Sequence, residues 1–134
     1  MSGKFITAAQ VERQQWPGMG DLGLISKASE TQKHIFADLV FAPEDAFNFH
    51  HHPNQEEVLY VMEGSLEAWI EKEKMTVNAG DTLYLPAGTV HAVFNVFQNP
   101  AKMFVILTPI IEREELGFEL VDVSEEEPWK SLRQ

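Results

Sequence analysis

The chain has 134 residues, 44% of them hydrophobic and 23% charged, with 21 acidic against 10 basic side chains and a formal net charge of −11. That composition excludes a disordered chain, and the acidity argues against nucleic acid and anionic membrane surfaces as partners. There is no cysteine, so no disulfide supports the fold and no thiolate binds metal or attacks a substrate.

The length suits one domain with a real core. Residues 1–34 are expected as an N-terminal arm, about 35–108 as the core barrel, and 109–134 as a C-terminal extension. The first ten residues lack an apolar run long enough for a signal peptide. No stretch approaches the roughly 20 apolar residues of a membrane span. The expectation is a cytoplasmic protein.

Within the arm, Trp16-Pro17-Gly18-Met19-Gly20-Asp21-Leu22-Gly23 reads as a loop, because three glycines and a proline disfavour regular structure. From His34 onward the pattern is β. Strands are predicted at 35–41, 47–52, 57–62, 65–71, 75–77, 82–85, 90–96 and 103–107, separated by turns such as Pro53-Asn54-Gln55, Asn78-Ala79-Gly80-Asp81 and Pro86-Ala87-Gly88. Short strands at this spacing indicate an all-β sandwich or barrel. At the C-terminus, Ser124-Glu125-Glu126-Glu127 resembles a capping box with Pro128 behind it, although a solvated acidic tail is the plainer reading.

Side chains alternate along a strand, so His50 and His52 share one face and His51 takes the other. A hairpin through Pro53-Asn54-Gln55 can return Glu57 beside the two imidazoles, and His91 can come from an adjoining strand. Three neutral imidazoles and one carboxylate form an N₃O donor set suited to one divalent transition metal, whether Fe, Mn, Ni, Zn, Co or Cu. By the same parity Asn48 and Asn95 are candidates to touch a substrate, with loop capping as the alternative for Asn95. Leu59, Val61 and Val93 are expected to line the interior. Phe47, Phe49, Val58, Tyr60 and Met62 are expected outside, where so much apolar surface calls for cover by a second sheet, the arm or a second chain. A homodimer is expected on that ground. Trp69 is read as a pocket wall or an interface residue, Glu56 as solvated, and His34 as a surface residue.

Two motifs resemble those of the cupin family. The first is His50-x-His52, four residues, Glu57, six residues and Gly64. The second is Gly80, five residues, Pro86-x-Gly88, two residues, His91, three residues and Asn95. One departure is Glu44, six residues before His50, where the family often has glycine. The resemblance covers about residues 35–108 and implies a double-stranded β-helix, or jelly-roll barrel, with His50, His52, Glu57 and His91 in the four metal-ligand positions. It implies a metal-dependent enzyme of dioxygenase, isomerase or decarboxylase type acting on a small oxygen-chelating organic substrate. The alternative is a non-catalytic ligand-binding or sensing module. Gly64 and Gly80 are expected at hairpin reversals with positive φ.

Overall fold

A computed structural model describes residues 3–134. Its core strands are β3 (Ile35–Phe41), β4 (Ala46–His51), β5 (Glu56–Glu63), β6 (Ser65–Ile70), β7 (Glu73–Asn78), β8 (Thr82–Leu85), β9 (His91–Phe94) and β10 (Ala101–Thr108). They are preceded by β1 (Arg13–Trp16), β2 (Gly20–Leu24) and the short helix α1 (Ile25–Ser29), and followed by β11 (Val121–Asp122) and α2 (Trp129–Leu132). One sheet runs β1-β2-β3-β10-β5-β8, the other β11-β4-β9-β6-β7, and every pairing is antiparallel.

From β3 to β6 the chain changes sheet at every step, and from β7 to β10 it does so again, with the β6–β7 hairpin between. This winding is the double-stranded β-helix expected from the motifs. It also corrects two local expectations. Gly64 and Gly80 have positive φ, 78° and 95°, but each lies where the chain crosses between sheets, not in a hairpin. At Gly64 a side chain would also strike the Pro100 carbonyl, a Cβ there lying 2.6 Å from its oxygen. Likewise Glu57 is not returned by a hairpin. It faces the histidines from the opposite sheet.

The interior is apolar and drawn from both sheets. Leu39, Leu59, Val61 and Met103 meet Leu66, Ala68, Val77 and Val93 in one buried cluster. Leu59, Val61 and Val93 therefore line the interior as parity requires.

The N-terminal arm is more regular than its glycines implied. β1 and β2 form a hairpin that extends the first sheet along β3, in the register Leu22↔Leu39. Gly23 is there for space, since a Cβ would run into the Arg13 guanidinium. Arg13 donates from Nη1 and Nη2 to the two Asp38 oxygens at 3.0 and 2.8 Å, and from Nε to Asp21 at 2.9 Å. This bidentate pairing ties β1 and β2 to β3.

The β4 expectation is corrected by a bulge. Phe47 pairs with Val93 and His50 with His91, so Asn48 and Phe49 together oppose only Ala92. The extra residue reverses parity upstream. Phe47 thus turns inward, against Phe41 and Trp16, their ring centroids 5.6 and 6.0 Å away. Phe49 stays outside but is only 1% exposed. Its cover is the C-terminal segment, which packs Val123, Trp129 and Leu132 over Phe49, Trp69 and Phe94. Trp69 accordingly belongs to this outer cluster, donating to Glu67 at 2.8 Å. Ser124 does not cap α2, whose N-terminal flank is Pro128, while residues 125–127 are exposed.

Candidate metal centre

His50 lies near the end of β4, His52 one residue beyond it, and His91 at the start of β9, directly across from His50 in register. All three are buried, and their ligating atoms lie within 4.8 Å of one another. Ring centroids are 4.3 Å apart for His50 and His91, 5.1 Å for His50 and His52, and 5.5 Å for His52 and His91. Glu57 reaches in from β5, placing Oε1 3.1 Å from His52 Nε2 and 3.0 Å from His91 Nε2.

The tautomers follow from the backbone. His50 Nδ1 is 2.6 Å from the Asn48 carbonyl, His52 Nδ1 is 2.7 Å from that of Glu119, and His91 Nδ1 is 2.9 Å from that of Thr89. A carbonyl only accepts, so each Nδ1 carries the hydrogen and each neutral ring keeps its lone pair on Nε2. Backbone acceptors of this kind fix the orientation of metal-binding histidines.

Glu57 Oε1 is buried with no hydrogen-bond partner. Lone pairs from the imidazoles and a carboxylate oxygen thus crowd one buried place, an arrangement that a divalent cation relieves and water-filled solvent does not explain. With no metal bound, burial raises the Glu57 carboxyl, but the His91 and His52 imidazoles, once protonated at Nε2, override it and hold it far below the usual carboxylate range, so that protons compete with a metal for this place. Burial, with His91 beside it, pushes His50 down to about 3, so it stays neutral. Burial also depresses His91, yet Glu57 raises it above its ordinary value. The residues present fit the metal.

Among the described residues, the chamber around the cluster has a volume of about 50 Å³. Its wall is apolar, including Leu39, Leu59, Val93 and Val105, and its only titratable side chains are His50, His52, Glu57 and His91.

The two asparagines lie elsewhere. The bulge puts Asn48 on the exposed exterior, where Oδ1 accepts from the Phe49 N–H at 2.8 Å. It is the Asn48 backbone carbonyl, not the amide, that serves the site. Asn95 is buried and spends its side chain on loop backbone, donating to the Phe41 and Asn99 carbonyls at 3.1 and 2.9 Å and accepting from Phe97 at 3.0 Å. Neither side chain lines the chamber. His51 and His34 lie outside the cluster, and exposed Glu56 accepts from the Tyr84 hydroxyl at 2.8 Å.

Gln55, read from sequence only as a turn residue, is 1% exposed. Its Nε2 donates to the Pro109 and Gly117 carbonyls at 2.8 and 3.1 Å, and its Oε1 accepts from the Glu119 N–H at 2.9 Å. It therefore anchors the segment whose Glu119 carbonyl orients His52. Its sequence neighbours, Pro53, Asn54, Glu56 and Glu57, gave no signal of that burial.

The Cupin_2 family model, a cupin domain, matches residues 37–107, and the chain belongs to the cupin family. It is similar to the tetracenomycin polyketide synthase protein TcmJ of Streptomyces glaucescens, 30% identical over 76 residues that cover 57% of this chain and 51% of that protein. It is also similar to quercetin 2,3-dioxygenase of Bacillus subtilis, 33% identical over 60 residues, 45% of this chain and 18% of that one. The chain spans about half the length of the first curated relatives it matches. Among solved structures, a sugar phosphate isomerase of the cupin superfamily from Silicibacter pomeroyi superimposes with a TM-score of 0.71 at 21% identity, over 78% of this chain and 75% of that one. KdgF from Halomonas sp. does so with a TM-score of 0.70 at 19% identity, over 84% and 98%. These likenesses establish the shared fold.

Proposed function

We propose that the chain is a metal-dependent enzyme of the small-cupin type, acting on a small organic substrate through neighbouring oxygens, with His50, His52, Glu57 and His91 holding one divalent transition metal. The observation that carries this reading is the set of three Nδ1–carbonyl hydrogen bonds, which leave Nε2 free on each ring, those of His52 and His91 lying 3.1 and 3.0 Å from a buried carboxylate oxygen with no partner. A bound metal would supply Lewis-acid polarisation of a substrate oxygen, or oxygen chemistry if it is redox-active. The chain itself supplies the orientation of the three rings, the anionic charge of Glu57, and apolar walls that keep bulk water from the reacting group. Relatives named as a dioxygenase and an isomerase support an enzyme of one of these types without choosing between them.

A second reading, a non-catalytic small-ligand-binding or sensing protein, is favoured by one observation: no titratable side chain lines the chamber beyond the four candidate ligands. Elemental analysis of protein purified without added metal, followed by turnover screening of the iron and manganese forms on small keto and phenolic compounds, tests both. Bound metal with turnover supports the enzyme, binding of these compounds without turnover supports the second reading, and no metal under any condition overturns the first. We propose a homodimer as well, supported by the exposed apolar side chains Tyr60, Met62, Tyr84 and Ile106 on one sheet. Light scattering in solution reads it directly.

A further inference from the structure

We propose that the substrate is a bipartite molecule, with an uncharged aromatic ring seated in a groove outside the metal chamber and a short oxygen-bearing end reaching the imidazoles. This rests on the metal-centre reading above and adds the substrate class.

The chamber, at about 50 Å³, has room for a small reacting group and not for a ring. Beside it lies an open groove of about 650 Å³. Trp16, Phe47, Phe118 and Leu120 line both spaces, so the two adjoin at these four side chains. Aromatic contacts run from the groove to the site along two sides. On one, Trp16 meets Phe47 edge-on at 6.0 Å and Phe47 meets His50 at 5.9 Å. On the other, Phe118 meets His52 edge-on at 6.4 Å. Flat, half-buried aromatic walls favour a flat aromatic guest, which gains area and edge or face contacts together.

Charge narrows the class. Among the described residues lining chamber or groove there is no lysine or arginine, while Glu114 and Glu115 stand at the groove. A phosphate or carboxylate at the ring end would meet repulsion and no cationic donor. Of the four shared lining residues, only Phe47 falls within the family-matched span 37–107. Trp16 comes from the β1–β2 hairpin, and Phe118 and Leu120 from the segment that Gln55 anchors, so the preference belongs to this chain's own additions to the barrel.

Three probes with one diketone head separate the contributions: acetylacetone without a ring, benzoylacetone with one, and benzoylacetone carrying a para-carboxylate on the ring. Calorimetry on the protein as purified is expected to rank benzoylacetone about tenfold or more above both others, on the order of what burying one ring contributes. Phe118→Ala should weaken benzoylacetone about tenfold more than it weakens acetylacetone, since Phe118 also borders the chamber. Leu120→Ser, at a position 39% exposed and so safe for folding, should weaken it in the same direction. Glu114→Gln with Glu115→Gln should recover the carboxylated probe. Equal binding of all three probes, or indifference of benzoylacetone to both groove variants, overturns the proposal. Failure of the metal reading shows separately: His52→Ala would then leave acetylacetone binding unchanged, while the ring preference still reports on the groove.

Discussion

Glu119 holds His52 across 67 positions of chain, its carbonyl oxygen 2.7 Å from the imidazole Nδ1. The same residue's N–H is bound by Gln55. A candidate ligand is thus oriented by a segment outside the motif that contains it, and the link between them is one buried amide.

Gln55→Ala should lower metal affinity about 10- to 100-fold, the usual cost of losing a group that orients a ligand. Metal titration checks the magnitude. The ring nitrogen spectrum distinguishes positioning from general damage, because His52 should lose its fixed Nδ1–H tautomer while His50 and His91 keep theirs. Unchanged affinity would show that the Glu119 carbonyl is not needed.

His52→Ala should abolish metal binding and leave the β fold intact, since the apolar core extends well beyond the site through Val61, Leu66, Val77 and Met103. Metal content and far-UV circular dichroism measured on the same sample decide it. Global unfolding would mean that the centre is a structural requirement of the barrel.

Acid should release metal and, in the metal-free protein, lower stability. Burial carries His50 from the ordinary 6.5 down to about 3, so below about pH 6.5 the unfolded chain binds a proton that the folded one refuses, and stability falls as pH drops toward 3. Glu57, held low by the imidazoles, acts in the same sense, its contribution lost as pH falls through its depressed value. His91, raised by Glu57, works oppositely and loses its contribution as pH rises through its folded value. Urea midpoints of metal-free protein should therefore decline steadily from pH 6.5 to pH 4. A flat profile would contradict burial of a neutral His50.

Phe49→Ala should cost about 3–5 kcal/mol, the range for emptying a fully buried aromatic site, and should loosen the C-terminal cover. Chemical denaturation gives the first quantity, and protease sensitivity near Trp129 gives the second. A cost below about 1 kcal/mol, the level of a surface change, would return Phe49 to the exposed exterior expected from parity.

Glu44 adopts φ 78° in the turn before β4, with its N–H donating to the Asn95 carbonyl at 2.8 Å. Left-handed backbone costs a side-chain-bearing residue about 1–2 kcal/mol, partly offset in a glycine by chain entropy. Glu44→Gly should therefore gain up to about 1 kcal/mol, and Glu44→Val should lose stability. Thermal melting of both variants checks the sign.

The barrel was legible wherever alternation ran unbroken. Thr82–Leu85 has the bounds expected, and Leu59, Val61 and Val93 face inward as their parity requires. The four candidate ligands were legible because their spacing survives folding. Asn48 was misplaced because a bulge leaves no mark in a hydrophobic pattern. The β1–β2 hairpin was hidden because Gly20 and Gly23, which look like loop residues, are strand positions where Phe41 and Arg13 approach too closely for a side chain. The cover over Phe49 comes from residues about 80 positions away, a distance at which local periodicity carries no information.

A fragment trimmed to the homologous span, 37–107, would keep every side chain proposed to grip the ion. It would nonetheless forfeit the oxygen that steers His52 and the lid of indole and aliphatic groups over Phe49. The region recognisable by descent is smaller than the region that must be present together, so experiments on this molecule should retain both flanks.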